Sequence, residues 1–323
     1  MRLGRTQLQV TRLGLGTAPL AGLYEAVDER QAIETVAAAW RHGLRFFDTA
    51  PLYGHGLGEQ RLGHSLRGRP RPEYVLATKV GRLLRADAPP ESNQVYSGAP
   101  KLHPIFDFSY DGVMRSLEES RIRLGIDDLD VVHIHDPDDH FDEALSGAFR
   151  ALDELRAAGV IGAVGAGMNQ AEMLTRFARE ASFDCFLLAG RYTLLDQTAL
   201  TELLPTCLAR GVAIIAAGVY NSGILADPQA GARYDYQPAT QAVLVRAQRM
   251  KSVCERHGVP LRAAAIQFPL GHPAVQAVVI GCRSAAQLED SIRMFETPVP
   301  ADLWNELKSE RLLAEGVPTP PLA

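Results

Sequence analysis

The sequence predicts an α/β protein, a (β/α)8 barrel with long loops after its third and seventh strands. Three observations carry this: eight short apolar runs recur along the chain, they are apolar on both faces, and segments of helical period separate them. The runs are Leu13–Gly16, 44–50, 74–80, Leu129–His135, 163–167, 183–189, 211–218 and Val275–Gly281. A strand covered by helices on one side and by barrel interior on the other has no polar face, so strict alternation is absent. Between the runs, residues 28–42 place Asp28 in cap position ahead of Ile33, Val36, Ala37 and Trp40. Segments Tyr110–Leu124 and 142–158 follow the same 3.6-residue pattern. Strand then helix, eight times over, is the order of a barrel. Two insertions interrupt it, 81–108 after the third strand and 218–238 after the seventh, both on the face where barrel sites are built.

The 323 residues exceed the length prior of about 150 per domain, but barrels of this size are an exception to it, and one domain covering 1–323 is expected. With 46% hydrophobic and 22% charged residues there is material for a large core. A net charge of -5 without a long run of one sign excludes a basic stripe for nucleic acid. No stretch reaches the roughly 18 apolar residues of a spanning helix, and the N-terminus lacks an uninterrupted apolar core, so no membrane partner and a cytoplasmic location are expected. Cys185, Cys207, Cys254 and Cys282 are isolated and read as buried thiols, not as a disulfide framework or zinc knuckle.

The strand ends carry the chemistry. The second strand ends in Asp48 and leads to Tyr53, the third ends in Lys79, and the fourth in His133 and His135. The other strands finish in Gly16, Gly167, Ala189, Gly218 and Gly281 or their small neighbours. Each polar residue has a bland reading: Asp48 as a cap, Tyr53 as a loop tyrosine, Lys79 as a snorkelling strand end, His135 as a satisfied core histidine. Together these readings weaken, because a lysine ending an apolar strand is costly without a nearby carboxylate. The chemistry such a site supports is proton transfer through a phenol. A lysine ammonium at ~4 Å favours the phenolate by up to about 4 kcal/mol at an effective dielectric near 20, opposed by burial and by Asp48. On this basis Tyr53 is expected in useful range for acid–base catalysis, with a neutral histidine orienting the reacting oxygen.

The stretches "FFDTAPLYGHG", "LATKVG", "LDVVHIHDPD", "AVGAGMNQ" and "VVIGCRSAAQLEDS" resemble the aldo-keto reductase superfamily in order and spacing, across essentially the whole chain. The resemblance implies a catalytic tetrad of Asp48, Tyr53, Lys79 and His135, with NAD or NADP extended across the barrel mouth. Within the superfamily, "FDFSYDGVMRSLEESRIRLGIDDLDVVHIHDPD" is similar to enzymes that oxidise free sugars at the anomeric carbon, the D-threo-aldose 1-dehydrogenase or L-fucose dehydrogenase group. Pyridoxal 4-dehydrogenase and L-galactose dehydrogenase are relatives of that group. The substrate so implied is a small sugar or aldehyde, the assembly a monomer or homodimer.

The same resemblance implies cofactor contacts at Gly16, Thr17, Asp48, Met168, Asn169, Tyr220, Asn221, Ser222, Gly223, Leu225, Gly281, Arg283, Gln287 and Asp290. Three departures stand out: Ala189 where many members have a glutamine at the nicotinamide, Ala217 where many have a stacking tyrosine, and Asp290 in place of an asparagine. Met168 is the candidate to substitute for the missing ring. Ala286 occupies the position of an arginine that grips the 2′-phosphate, and Asp290 would repel one, so NAD is expected in preference to NADP. Two rivals remain in view. The pair His133-Ile134-His135 suits a metal-dependent hydrolase, but the later strand ends offer no further ligands and no metal is expected. A Rossmann dehydrogenase lacks its third glycine, where Gln170 stands. A cofactor-binding subunit without turnover is a further alternative, against which the full tetrad argues.

Overall fold

The computed structural model describes residues 1–90 and 95–321. Residues 91–94 of the first expected insertion and 322–323 of the expected single domain lie outside them. Eight parallel strands close into a barrel: β1 (Leu13–Gly16), β2 (Phe46–Asp48), β3 (Val75–Val80), β4 (Leu129–His135), β5 (Ile161–Met168), β6 (Cys185–Ala189), β7 (Ala213–Ala217) and β8 (Val275–Gly281). Each strand pairs with its chain neighbours, and β8 closes the ring on β1 with Leu13 opposite Val278 and Gly16 opposite Gly281. All eight strands expected from the sequence are present, β2 trimmed to three residues.

Period-two alternation sorts the strand residues between two cores. One face packs outward on the helices through Phe47, Leu76, Val132, Val164, Phe186 and Ile214. The other fills the barrel with Phe46, Val75, Ala77, Val131, Ala163, Leu187, Ile215, Ala277 and Val279, and Leu3 and Val10 of the N-terminal segment join this inner cluster. Continuing the inner face upward reaches Asp48 on β2, Lys79 on β3, and His133 and His135 on β4. The site is therefore the top layer of the barrel interior.

The helices form where caps and apolar stripes expected them. Asp28 caps Glu29–Arg41 by accepting from the Gln31 N–H at 2.7 Å, and Ser109 caps Tyr110–Leu124. The expected helix 142–158 is not uniform: a π-helical stretch, Ala144–Phe149, separates Phe141–Glu143 from Arg150–Ala157. Here Gly147 meets the insertion so closely that a Cβ would lie 2.4 Å from the Phe108 carbonyl. The insertions carry two antiparallel hairpins, Arg82–Arg85 with His103–Phe106 and Arg233–Tyr234 with Gln237–Pro238. All four cysteines are free and buried. Among the described residues no helix is long and apolar enough to cross a membrane.

Candidate active site

Asp48, Tyr53, Lys79 and His135 meet at the top of β2 to β4. The Lys79 ammonium, 1% exposed, donates to both oxygens of Asp48 at 2.7 and 2.8 Å and to the Thr49 carbonyl at 2.8 Å. Its three donors are thereby satisfied, which is the condition for keeping a charge pair in a dry interior. Burial raises the Asp48 carboxyl and the adjacent lysine pulls it back. Among the described residues the hydrogen bonds that Asp48 accepts come from Lys79 and not from a cap.

Tyr53 reaches the site because the chain after β2 turns sharply. Gly54, His55 and Gly56 all have positive φ, and at Gly54 a Cβ would lie 2.4 Å from the Ala21 carbonyl. The phenol ring then stands edge-on to His135 at 5.8 Å, with the Lys79 ammonium 4.7 Å from its centroid. The expected lowering of its pKa is not found. Burial first, then the Asp48 charge, pushes the phenol well above its ordinary value, because the ammonium is committed to Asp48 and Thr49. His135 is held neutral: burial pushes its pKa well below 6.5, helped by the Arg82 and Lys79 charges. A neutral imidazole beside a neutral phenol is a pair of groups that can each donate a hydrogen bond to one oxygen.

His133 does not join this pair. It lies one layer lower at 0% exposure, both ring nitrogens lack a partner among the described residues, and burial followed by Lys79 brings its pKa to about 3. Gly165 makes room for its ring, since a Cβ there would be 2.2 Å from Nδ1. Among the described residues no group of three His, Cys, Asp or Glu is arranged to hold a metal ion.

Two cavities open above the tetrad. One, of about 750 Å³, is lined by Tyr53, Lys79, His135, Met168 and Asn169. The other, of about 490 Å³, is lined by Tyr220, Asn221, Ser222, Gly223, Gly281, Arg283, Gln287 and Asp290. They share Leu23, Tyr24, Ala189 and Tyr236, so a trough runs from the tyrosine to the far arginines. Its donor set suits a dinucleotide. Asn221 keeps a buried, unpartnered Oδ1 on the wall, and open space surrounds Gly223. Four of the expected contacts, Gly16, Thr17, Asp48 and Leu225, do not line either cavity: the Leu225 side chain is in the core, Thr17 hydrogen-bonds Thr49 at 2.8 Å, Asp48 is paired with Lys79, and Gly16 stands opposite Gly281 at the top of β1. At the far end Asp290 is ion-paired with Arg262 and Arg293, which offsets the repulsion expected of it toward a phosphate. Missed from sequence were Tyr24, Arg82, Tyr96, Asp136, Arg233 and Tyr236 on the cavity wall.

Against this geometry the comparisons with known proteins decide the family. A model of the aldo/keto reductase family matches residues 12–311. The chain belongs to the aldo/keto reductase family. It is similar to pyridoxal 4-dehydrogenase of Microbacterium luteolum, 45% identical with 97% of each chain covered. It is 42% identical to D-threo-aldose 1-dehydrogenase of a Pseudomonas species, over 97% of this chain and 96% of the other. The fold matches a holo-form aldo-keto reductase from Bacillus halodurans at a TM-score of 0.75 and 25% identity, covering 98% of this chain and 97% of that one. The protein is thus an oxidoreductase of a family that uses nicotinamide cofactors.

Proposed function

We propose that the protein oxidises an aldose such as L-fucose at the anomeric carbon to its lactone, with NAD as the preferred hydride acceptor. The observation that supports this best is the convergence of Tyr53 and His135, both polar and neutral, above the Lys79–Asp48 pair in a cavity continuous with a dinucleotide-sized trough. A bound nicotinamide supplies the hydride acceptor; every other part belongs to this chain. His135 donates to the substrate oxygen and orients it, and Tyr53 exchanges the proton with the same oxygen. Met168, Asn169 and the 220–223 segment, with Arg283, Gln287 and Asp290, would hold the cofactor along the trough. With its pKa raised, Tyr53 stays protonated, the form that carbonyl reduction needs, and becomes a base for oxidation only as pH rises.

The likeness to pyridoxal 4-dehydrogenase favours a second reading, oxidation of pyridoxal on the same barrel. NAD over NADP rests on the exposed, uncharged Ala286, the Asp290 argument being narrowed by its arginines. Four buried free thiols accord with a reducing, cytoplasmic setting, and the assembly in this reading is a monomer or homodimer. The test is NADH formation from NAD, followed by absorbance at mildly alkaline pH, with L-fucose and pyridoxal side by side. A steady rate with L-fucose is the expected result; a rate with pyridoxal alone moves the protein to the second reading, and a lower Michaelis constant for NADP than for NAD reverses the cofactor preference.

A further inference from the structure

One acidic side chain of the cavity has no part in the proton chemistry. Asp136 follows His135 at the top of β4 with φ 43, in the left-handed region that few residues other than glycine, asparagine and aspartate enter. Its N–H donates to the Gly167 carbonyl at 3.0 Å, which fixes that conformation. The carboxylate stands in the cavity beside Tyr53 and His135, with its side chain 34% exposed. Oδ2 accepts from Arg82 at 3.2 Å and lies 3.5 Å from Nε2 of His135.

Arg82 is built as a clamp for this carboxylate. It is 11% exposed, donates to the His135 carbonyl at 3.2 Å, and rests over the Phe106 ring at 4.6 Å. Oδ2 is held by the guanidinium, no hydrogen bond from the described residues reaches Oδ1, and the residue lines the cavity. A carboxylate oxygen accepts and does not donate, so it selects hydroxyls and repels carbonyl oxygens. The Asp136 carboxylate, with Oδ2 3.5 Å from Nε2 of His135, is close enough to serve a group on the carbon next to the one whose oxygen His135 would hold.

We propose that Asp136 is a specificity-determining residue that accepts a hydrogen bond from the hydroxyl adjacent to the reacting carbon, restricting the site to vicinally hydroxylated substrates. The assignment rests on the placement of the reacting oxygen between Tyr53 and His135, but not on the aldose or the direction of reaction. Tyr24, Tyr96 and Tyr236 line the surrounding wall.

The experiment compares glyceraldehyde with propanal, which differ only in hydroxyls, as substrates for reduction by NADH. Wild type is expected to favour glyceraldehyde in kcat/KM. Asp136→Asn tolerates the same backbone and removes the charge; its carbonyl will face Arg82, which turns the amide NH2 toward the substrate, where it can still donate to the hydroxyl oxygen. Asp136→Gly relaxes the backbone and removes the group altogether. The glyceraldehyde preference should fall at least about tenfold in Asp136→Gly, the size of one lost charge-assisted hydrogen bond, and at least about threefold in Asp136→Asn, where a neutral bond of opposite direction replaces it. NADH binding by fluorescence titration should not change. A wild-type ratio near one, or variant ratios within about twofold of wild type with NADH binding intact, overturns the assignment. Intact discrimination with no aldose oxidation overturns the aldose reading alone.

Discussion

From β2 to β4 the rim of the barrel carries Asp48, Lys79 and His135, whereas from β5 round to β1 it carries Gly167, Ala189, Ala217, Gly281 and Gly16. Both halves obey the same two-residue alternation and stand on the same inner layers of Ala, Val and Ile. The first half keeps buried charge and answers it internally, with the Lys79 ammonium satisfied three times over. The second half removes side chains and leaves volume. Proton chemistry needs fixed polar groups at one point, while a long ligand needs an unobstructed wall. One barrel meets both needs by dividing its circumference.

Breaking the charged half should cost most. Lys79→Met leaves Asp48 buried without its partner, and a loss of about 3–5 kcal/mol in denaturant-unfolding stability is expected, with turnover abolished. Unchanged unfolding would mean that the pair is not dry. Tyr53→Phe keeps the ring packing and removes the proton donor, so kcat should fall by about 10²–10⁴ with cofactor affinity retained, measured by steady-state rates and fluorescence titration. Retention of a tenth of the activity would remove Tyr53 from the mechanism.

His133 sharpens the comparison because it is buried beneath the charged half yet takes no partner there. Its pKa falls from 6.5 to about 3 in the fold. A depressed histidine favours the folded state fully above its ordinary value, and that contribution disappears as pH drops from 6.5 toward 3. His133→Asn should therefore lose less stability than wild type between pH 7 and pH 4.5, by up to about 2–3 kcal/mol in parallel urea titrations. Equal acid sensitivity would mean that the ring gains a proton partner on folding. In the open half the effects should be smaller. A Cβ at Gly281 would come 2.6 Å from Pro19 Cγ on the trough wall, so Gly281→Ala should raise the Michaelis constant for the cofactor about threefold to tenfold and cost about 1–2 kcal/mol of stability. An unaltered constant would place the cofactor away from this wall.

How much of this was legible in the sequence follows the same division. The eight strands could be read because two-sided burial writes itself as unbroken apolar runs, and Asp48, Lys79 and His135 because each ends such a run. Arg82, Asp136 and Tyr236 could not. They stand in turns and insertions, where no period says which residue points inward. The aspartate after His135 stands where φ is positive, and that is invisible without the backbone. The direction of the Tyr53 pKa was misjudged because sequence shows that a lysine is present but not where its three donors go. The break in the expected helix 142–158 falls where Phe108, distant in sequence, lies against Gly147, a contact that helical period does not show.

The four cysteines give the barrel a property unrelated to its chemistry. Burial pushes Cys207, Cys254 and Cys282 up to about 12 and Cys185 well above the ordinary thiol value, so none is a thiolate at neutral pH while the fold holds. Cys185 lies in the barrel interior and Cys282 at the top of β8, while Cys207 and Cys254 sit under outer helices. Each is a silent label at a different place in the molecule. An alkylating reagent added to the native protein therefore records the order in which those places open, and Cys185, the one inside the barrel, should be marked last.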